Sequence, residues 1–334
     1  MGLENSEAMI KRTGLLFDNA LAELDKLGMG DTLSKIAIIS GNLMRRHVSL
    51  VSFSGVNKSV LLNNGHRFVS DVNEDDIAKI PGSTEVNGKL LFGTKQVKSN
   101  GEVIETPGII SESTMIVTSP EHSRVNPYGS NELNEFLENS TFAKYGDNTQ
   151  IFNSVFRSFM MAYNPTDSGD GIFVLSDALK SRISLTAFTS GDLDFEQRKA
   201  IRKGWKAKPE EMKKIVTTEE LDEIAKYVKE DYVLSDDNNI KIDDLEQKGK
   251  DFLRSEFGYR EGPRLTSQLA DVSKLLLVAN DGKWDKFRLT PTAEESVGIV
   301  ALRLVFSSRF AQFSTSRSGN TLDGLMEEFI SGIK

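Results

Sequence analysis

An α+β fold is predicted by three observations on this sequence: a helical N-terminal arm, a stretch dense in strand and hairpin signals, and a long remainder with helical periodicity. In "NSEAMIKRTGLLFDNALAELDKL", Met9, Leu15, Leu16, Phe17, Leu21 and Leu24 mark one apolar side of a helix. "KLLFGTKQVKSNGEVIETPG" alternates apolar and polar residues around Asn100-Gly101, a strong short-range hairpin signal. Beyond residue 130 the pattern reads as helix after helix. The expected divisions are a helical arm over 1–47, a β-rich region with an exposed, small antiparallel hairpin over 48–130, and a large, predominantly α-helical part over 131–334.

The elements follow in order. Gly28 stops the first helix, and Asp31 caps a second that ends at Arg45 and Arg46, cations suited to a C-terminus. "VSLVSFSG", "HRFVSD", the hairpin around Asn100 and "STMIVTS" are strand candidates, and "SPEHSRVNPYGS" is a loop with two prolines. Helical segments are expected at 131–143, 150–163, 175–187, 194–205, 218–231, 242–257, 265–279, 293–312 and 321–332. Ser130, Asp192, Thr217 and Thr218 ahead of Glu219 and Glu220, and Pro291-Thr292 serve as starters. Strands and helices do not alternate in this reading, which argues against a doubly wound fold.

Composition narrows the chemistry. A length of 334 residues allows a large core and sets a soft prior of about two domains. With no cysteine, the chain has no disulfide, thiolate nucleophile or cysteine metal site. His47, His66 and His122 are too dispersed for the local spacing of zinc ligands. A net charge of -8 gives no overall attraction to nucleic acid or an anionic membrane. No apolar run reaches membrane-spanning length and no secretory leader is legible, so an intracellular, cytoplasmic or virion location is expected. "MGLENS" fits the permissive N-myristoylation pattern through Gly2 and Ser6, but an ordinary frayed start is the expectation.

Three fragments, "SGVNKSVLL", "ETPG" and "LLLVANDGKWD", resemble in order the motifs of a GTPase. A phosphate loop needs Gly before its Lys, and here Asn57 precedes Lys58. The guanine motif needs Lys after Asn, and Asp281 follows Asn280. Asn63-Asn64-Gly65 comes too soon after Ser59 for the helix that should hold phosphate. The expectation is two hairpin turns and a helix end.

"RKAIRKGWKAK" gathers Arg198, Lys199, Arg202, Lys203, Lys206 and Lys208 around Trp205, a face that could neutralise phosphates while the indole stacks on a base. The competing account is a solvated face paired with acids such as Glu210 and Glu211. Arg303, Arg309 and Arg317 flank a core stripe of Leu304, Phe306, Phe310 and Phe313. "SDDNNIKIDDLE" places Ser235, Asp237, Asn239, Asp243 and Glu246 at EF-hand ligand positions 1, 3, 5, 9 and 12, and Ile242 at the apolar position 8. It lacks the opening Asp, and Ile240 stands where the loop turns on Gly. "TDSGDGIFVLSD" is a weaker relative, with Ser168, Asp170 and Gly171 in place but Thr166 first and Asp177 last. Both are weak calcium sites at best, and polar turns otherwise.

No G-x-S-x-G elbow or H-E-x-x-H helix is present, so no catalytic residue and no cofactor is assigned. The functional expectation is a non-enzymatic, self-assembling structural protein. Its class is a virus or phage particle component (coat or capsid protein, nucleocapsid or connector), homo-oligomeric through its arm and hairpin. Nucleic acid, RNA included, would meet the basic helix 198–208. A calcium-responsive helix–loop–helix module and an enzyme without a legible motif are the alternatives.

Overall fold

The computed structural model describes residues 3–28, 31–52, 58–163, 173, 175–189, 198–199, 202, 208–257, 263–289, 295–313 and 322–333. The chain opens with α1 (Leu3–Asp25) and α2 (Thr32–Met44), then β1 (Val48–Ser52) and the short α3 (Lys58–Asn64). After β2 (Ile77–Lys79) and α4 (Gly88–Phe92) come the hairpin β3 (Gly93–Val97) and β4 (Val103–Pro107), then β5 (Ile116–Ser119) and α5 (Pro127–Asn139). Next are β6 (Thr141–Phe142), β7 (Ile151–Phe152), β8 (Ser158–Tyr163), α6 (Asp177–Arg182) and β9 (Leu185–Thr189). The helices α7 (Thr218–Lys226), α8 (Asp236–Phe257), α9 (Pro263–Ala279), α10 (Val297–Phe313) and α11 (Leu322–Ile333) follow.

Local chemistry explains most boundaries of the arm. Leu16, Phe17, Ala20, Leu21 and Leu24 are buried along α1, whereas Leu15 is 51% exposed and outside the stripe expected to hold it. Gly28 adopts a positive φ of 71°, a left-handed turn that ends the helix without a side-chain clash. Asp31 then caps α2 by accepting from the N–H groups of Leu33 (3.0 Å) and Ser34 (3.1 Å). Every residue from Ser34 to Met44 is buried, so α2 is enclosed on all sides. The Asn100-Gly101 turn also forms where expected: Gly101 takes φ 85°, and β3 and β4 pair from Gly93↔Pro107 to Val97↔Val103.

The central sheet differs from the antiparallel region expected between residues 48 and 130. It is five-stranded, in the order β2-β5-β8-β1-β9, and every pairing in it is parallel. Antiparallel pairing is confined, in named strands, to β3–β4 and β6–β7. Two of the five strands, β8 and β9, lie in segments 150–163 and 175–187, which read as helices. Phe152, Val155, Phe156 and Phe159 have helical spacing, but "SFMMAY" is the continuous apolar run of a strand covered on both faces. The faces are distinct. Leu50, Ile116, Met160, Ala162, Leu185 and Ala187 join the large core with α1, α2 and α7–α11. Ala78, Val117, Phe159 and Met161 join a second core with Phe136 of α5 and Leu179 of α6. Helix remains the dominant secondary structure, and the mixture is compatible with the α+β class.

The C-terminal helices approach through small residues. Gly249 of α8 faces the ring of Phe306 on α10, while a Cβ at Gly298 of α10 would stand 2.5 Å from Leu245 Cδ1 on α8. Alanine at a helical glycine ordinarily stabilises by about 1 kcal/mol. At Gly249 it must displace a buried aromatic ring, an overpacking cost of about 1–3 kcal/mol. Gly249→Ala is therefore expected to lower stability by about 1 kcal/mol in urea unfolding; a gain in stability would show that the two helices are not seated as described.

Candidate active site at the carboxyl edge of the sheet

In an open parallel sheet, ligands bind beyond the carboxyl ends of the strands, where the strand order breaks. Here the order rises through β2, β5 and β8, then drops to β1 before β9. That rule places a ligand at the ends of β8 and β1, where Val51 pairs with Tyr163. Between β1 and α3 the five residues 53–57 lie outside the described set, and Lys58-Ser59 opens α3. Leu61 and Leu62 of that helix are buried in the large core, which anchors it against the sheet.

Lys58 is only 8% exposed. Burial pulls its ammonium down to a pKa of about 8, so a cation is kept in a poorly solvated place. Ser59, next along, is exposed. Burial likewise pushes the Tyr163 hydroxyl well above its ordinary value, so it stays a neutral phenol.

Two strand positions away, β5 ends in Ser119. Its Oγ lies 2.9 Å from Nδ1 of His122, and His122 Nε2 lies 3.2 Å from Ser130 Oγ. The His122 ring is wholly enclosed, edge-on to Phe159 at 5.6 Å, and burial holds its pKa near 4. It is a neutral hydrogen-bonding strut that fixes the end of β5 to α5. Between Ser119 and this histidine, Glu121 projects to solvent, its Oε2 3.4 Å from Arg124 Nε.

In the sequence Lys58 stands in a phosphate-loop resemblance that Asn57 breaks. The chain after Ser59, judged too short for a helix, does form one, and the strand feeding it is a central parallel strand rather than part of a hairpin. The Ser119–His122–Ser130 chain had no local signal, because its members meet only once α5 packs on β5.

The other expected residues lie elsewhere. Arg198, Lys199, Arg202 and Lys208 are exposed, and Lys208 pairs with Glu211 at 2.9 Å. Lys203, Trp205 and Lys206 fall outside the described residues. The stretch expected as a calcium loop is the first half of α8, with Ser235 at its start accepting from the N–H of Asn238 at 3.2 Å. Asp237 pairs with Lys241 at 2.6 Å, and Glu246 accepts from Thr266 Oγ1 at 2.5 Å. On a helix, Asp237, Asn239, Asp243 and Glu246 cannot converge as they would around a loop. Among the described residues no group of three His, Cys, Asp or Glu could hold a metal. In the weaker relative, Asp177 opens α6, while Thr166, Ser168, Asp170 and Gly171 fall outside the described residues, as does Gly2. Arg303 bridges Glu295 and Glu327 at 2.8 and 2.7 Å, an intramolecular clasp. No helix among the described residues is long and apolar enough to cross a membrane.

No protein-family model matches this chain, and no curated protein matches it. Among solved structures, it is similar to a crystal structure described as that of a "putative ATPase" from Cytophaga hutchinsonii. The TM-score is 0.69 at 17% identity, over 98% of this chain and 97% of that one. At this identity the match shows a shared fold. It overturns the expectation of a non-enzymatic virion, capsid or nucleocapsid component with RNA-binding function: the likeness runs end to end, through a parallel-sheet architecture, to a protein described as a "putative ATPase". That expectation rested on missing catalytic motifs together with the N-terminal arm, the hairpin and the basic stretch 198–208.

Proposed function

We propose that this chain is an ATPase-type enzyme that binds a nucleoside triphosphate at the carboxyl edge of β1, β8 and β5. The observation that carries the reading is Lys58: a buried ammonium in the first turn after a central parallel strand, beside the break in strand order. A phosphate loop places its lysine and the following hydroxyl residue there, so that the cation meets the outer phosphates. The end-to-end likeness to the "putative ATPase" supports the same reading.

Each residue takes a chemical role. Lys58 Nζ neutralises phosphate charge as it builds up in transfer. The magnesium that accompanies a nucleotide would supply further charge neutralisation, and the exposed Ser59 hydroxyl is a hard oxygen suited to it. Glu121, the carboxylate just beyond β5, accepts a proton from the attacking water. The Ser119–His122–Ser130 hydrogen bonds hold the end of β5, and so the carboxylate two residues on, in place. The sequence departs from a full phosphate loop at Asn57, and an uncharged Ser119 ends the strand ahead of Glu121. Both departures weaken charge stabilisation and predict slow turnover.

The test is binding of a fluorescent ATP analogue together with phosphate release from ATP. Glu121→Gln is expected to cut phosphate release by about 100-fold or more while nucleotide affinity changes little. No binding of ATP or GTP at millimolar concentration would refute the reading.

A further inference from the structure

At the opposite, amino edge of the sheet lies a cleft of about 340 Å³ lined by five arginines, Arg45, Arg46, Arg157, Arg182 and Arg264, with Glu138 as its carboxylate. They come from unconnected places: the end of α2, the residue ahead of β8, the end of α6 and the start of α9. We propose that this cleft binds a phosphate group, at a site separate from the nucleotide crevice.

The charge balance points to an anion. Arg264 meets Glu138 at 3.1 Å, and Arg182 is paired with the same carboxylate. Behind them, Arg45 and Arg157 share Asp222 at 2.8 and 2.9 Å, and Arg46 pairs with Asp271. Lys229 feels the same arginines and acids. Five lining arginines and the nearby Lys229 thus stand against Glu138, Asp222, Asp271 and Asp71, which also acts on Arg157, and the excess is positive. His47 in the wall adds none: it is neutral, its Nε2 bonding Leu137 O at 2.8 Å and its Nδ1 accepting from Phe159 N–H at 3.2 Å.

The second observation is independent of charge. Arg157 is 2% exposed, yet among the described residues its Nε has no hydrogen-bond partner, and the buried Nε of Arg182 has none either. Buried donors without acceptors are rare in native structures because each forfeits its hydration. Both atoms belong to guanidinium groups that line the cleft, so the internal acceptors do not saturate the donors of its wall. Guanidinium forks suit the paired oxygens of phosphate, and the cleft has room for a small phosphate ester as well as the free ion.

The test is thermal unfolding of the full chain with inorganic phosphate or ribose 5-phosphate, against chloride at matched ionic strength. At about ten times its dissociation constant, the anion is expected to raise Tm by about 2 °C. The shift should persist in Lys58→Ala and disappear in Arg182→Gln and in Arg264→Gln; Arg264, half-exposed, keeps the test open if Arg182→Gln fails to fold. A lower effective concentration for the ester identifies an organic phosphate, and equal potency identifies the free ion. No shift beyond chloride, a shift unchanged in both arginine variants, or a shift lost in Lys58→Ala would each overturn the proposal. Because the Lys58→Ala arm carries no nucleotide site, failure of the ATPase reading leaves this outcome readable.

Discussion

Lys58→Ala is expected to weaken ATP binding by about 10- to 100-fold while leaving the fold as stable as before. The affinity loss follows from removing a charge-assisted contact to phosphate, worth about 1.5–3 kcal/mol. The stability side follows from burial. Desolvation brings the Lys58 ammonium down to about 8, so its charge is held at a cost in the folded chain below that pH. Because the unfolded chain keeps its proton to higher pH, this cost fades as pH rises from about 8 toward the ordinary lysine value of 10.5. Alanine removes the cost at all pH values. The same titration gives a second readout: nucleotide affinity should fall by up to about tenfold per pH unit above 8, as the free protein loses the cation. A lysine serving only as packing would give neither result. Equal ATP affinity for wild type and Lys58→Ala at pH 7.5, about half a unit below the lysine's pKa, would remove it from the site.

Acid is expected to unfold the protein well before its carboxylates are fully protonated, and the three histidines set the range. His47, His66 and His122 are all buried, and burial pulls each to a pKa of about 4. At His47 the charges of Arg46 and Arg182 push the same way, against its bond to Leu137 O. At His66, Nδ1 has no partner among the described residues. The unfolded chain takes up these protons near pH 6.5 and the folded chain only near 4, so stability is intact above about 6.5 and declines as pH falls between them. Each histidine contributes a slope of about 1.4 kcal/mol per pH unit, and the three together about 4. A total stability of about 5–15 kcal/mol does not outlast two such units by much. Urea midpoints at about pH 7, 6 and 5 measure the slope, and His66→Gln should reduce it by about a third. A midpoint that stays level from pH 7 to 5 would mean that the imidazoles are hydrated in the folded protein.

The sequence was informative where structure is local. Gly28, Asp31, the Asn100-Gly101 turn and the Thr217 cap act within a few residues of themselves, and each does what its chemistry demands. Thr217 even forms a full capping box with Glu220. Of the central sheet, β1 and β5 were legible as strands, but β8 and β9 and the parallel pairing were not. Covered on both faces, "SFMMAY" shows a run of apolar residues, and the phenylalanines upstream mimic helical spacing. In "SDALKSRISLTAFT" a one-and-a-half-turn helix passes into a strand with two residues between, and the two merge into one segment. The site suffered in turn. Lys58 is meaningful only after a parallel strand, so losing the strand's partners in the reading removed the reason to keep the lysine. The arginines around Glu138 come from four separate parts of the chain and could not be grouped by spacing at all.

The pairing of β1 has a consequence for how the chain is made. Val48 pairs with Met160 on one side and with Leu185 on the other. A ribosome adds about 5–20 residues per second, so this interior strand emerges roughly ten seconds before either neighbour exists. Until then "VSLVS" is an apolar ribbon with both edges open, the kind of segment that nascent-chain chaperones shield. Synthesis that pauses before residue 163 leaves that ribbon unpartnered, and misassembly during translation, more than loss of the finished fold, is where this architecture is vulnerable.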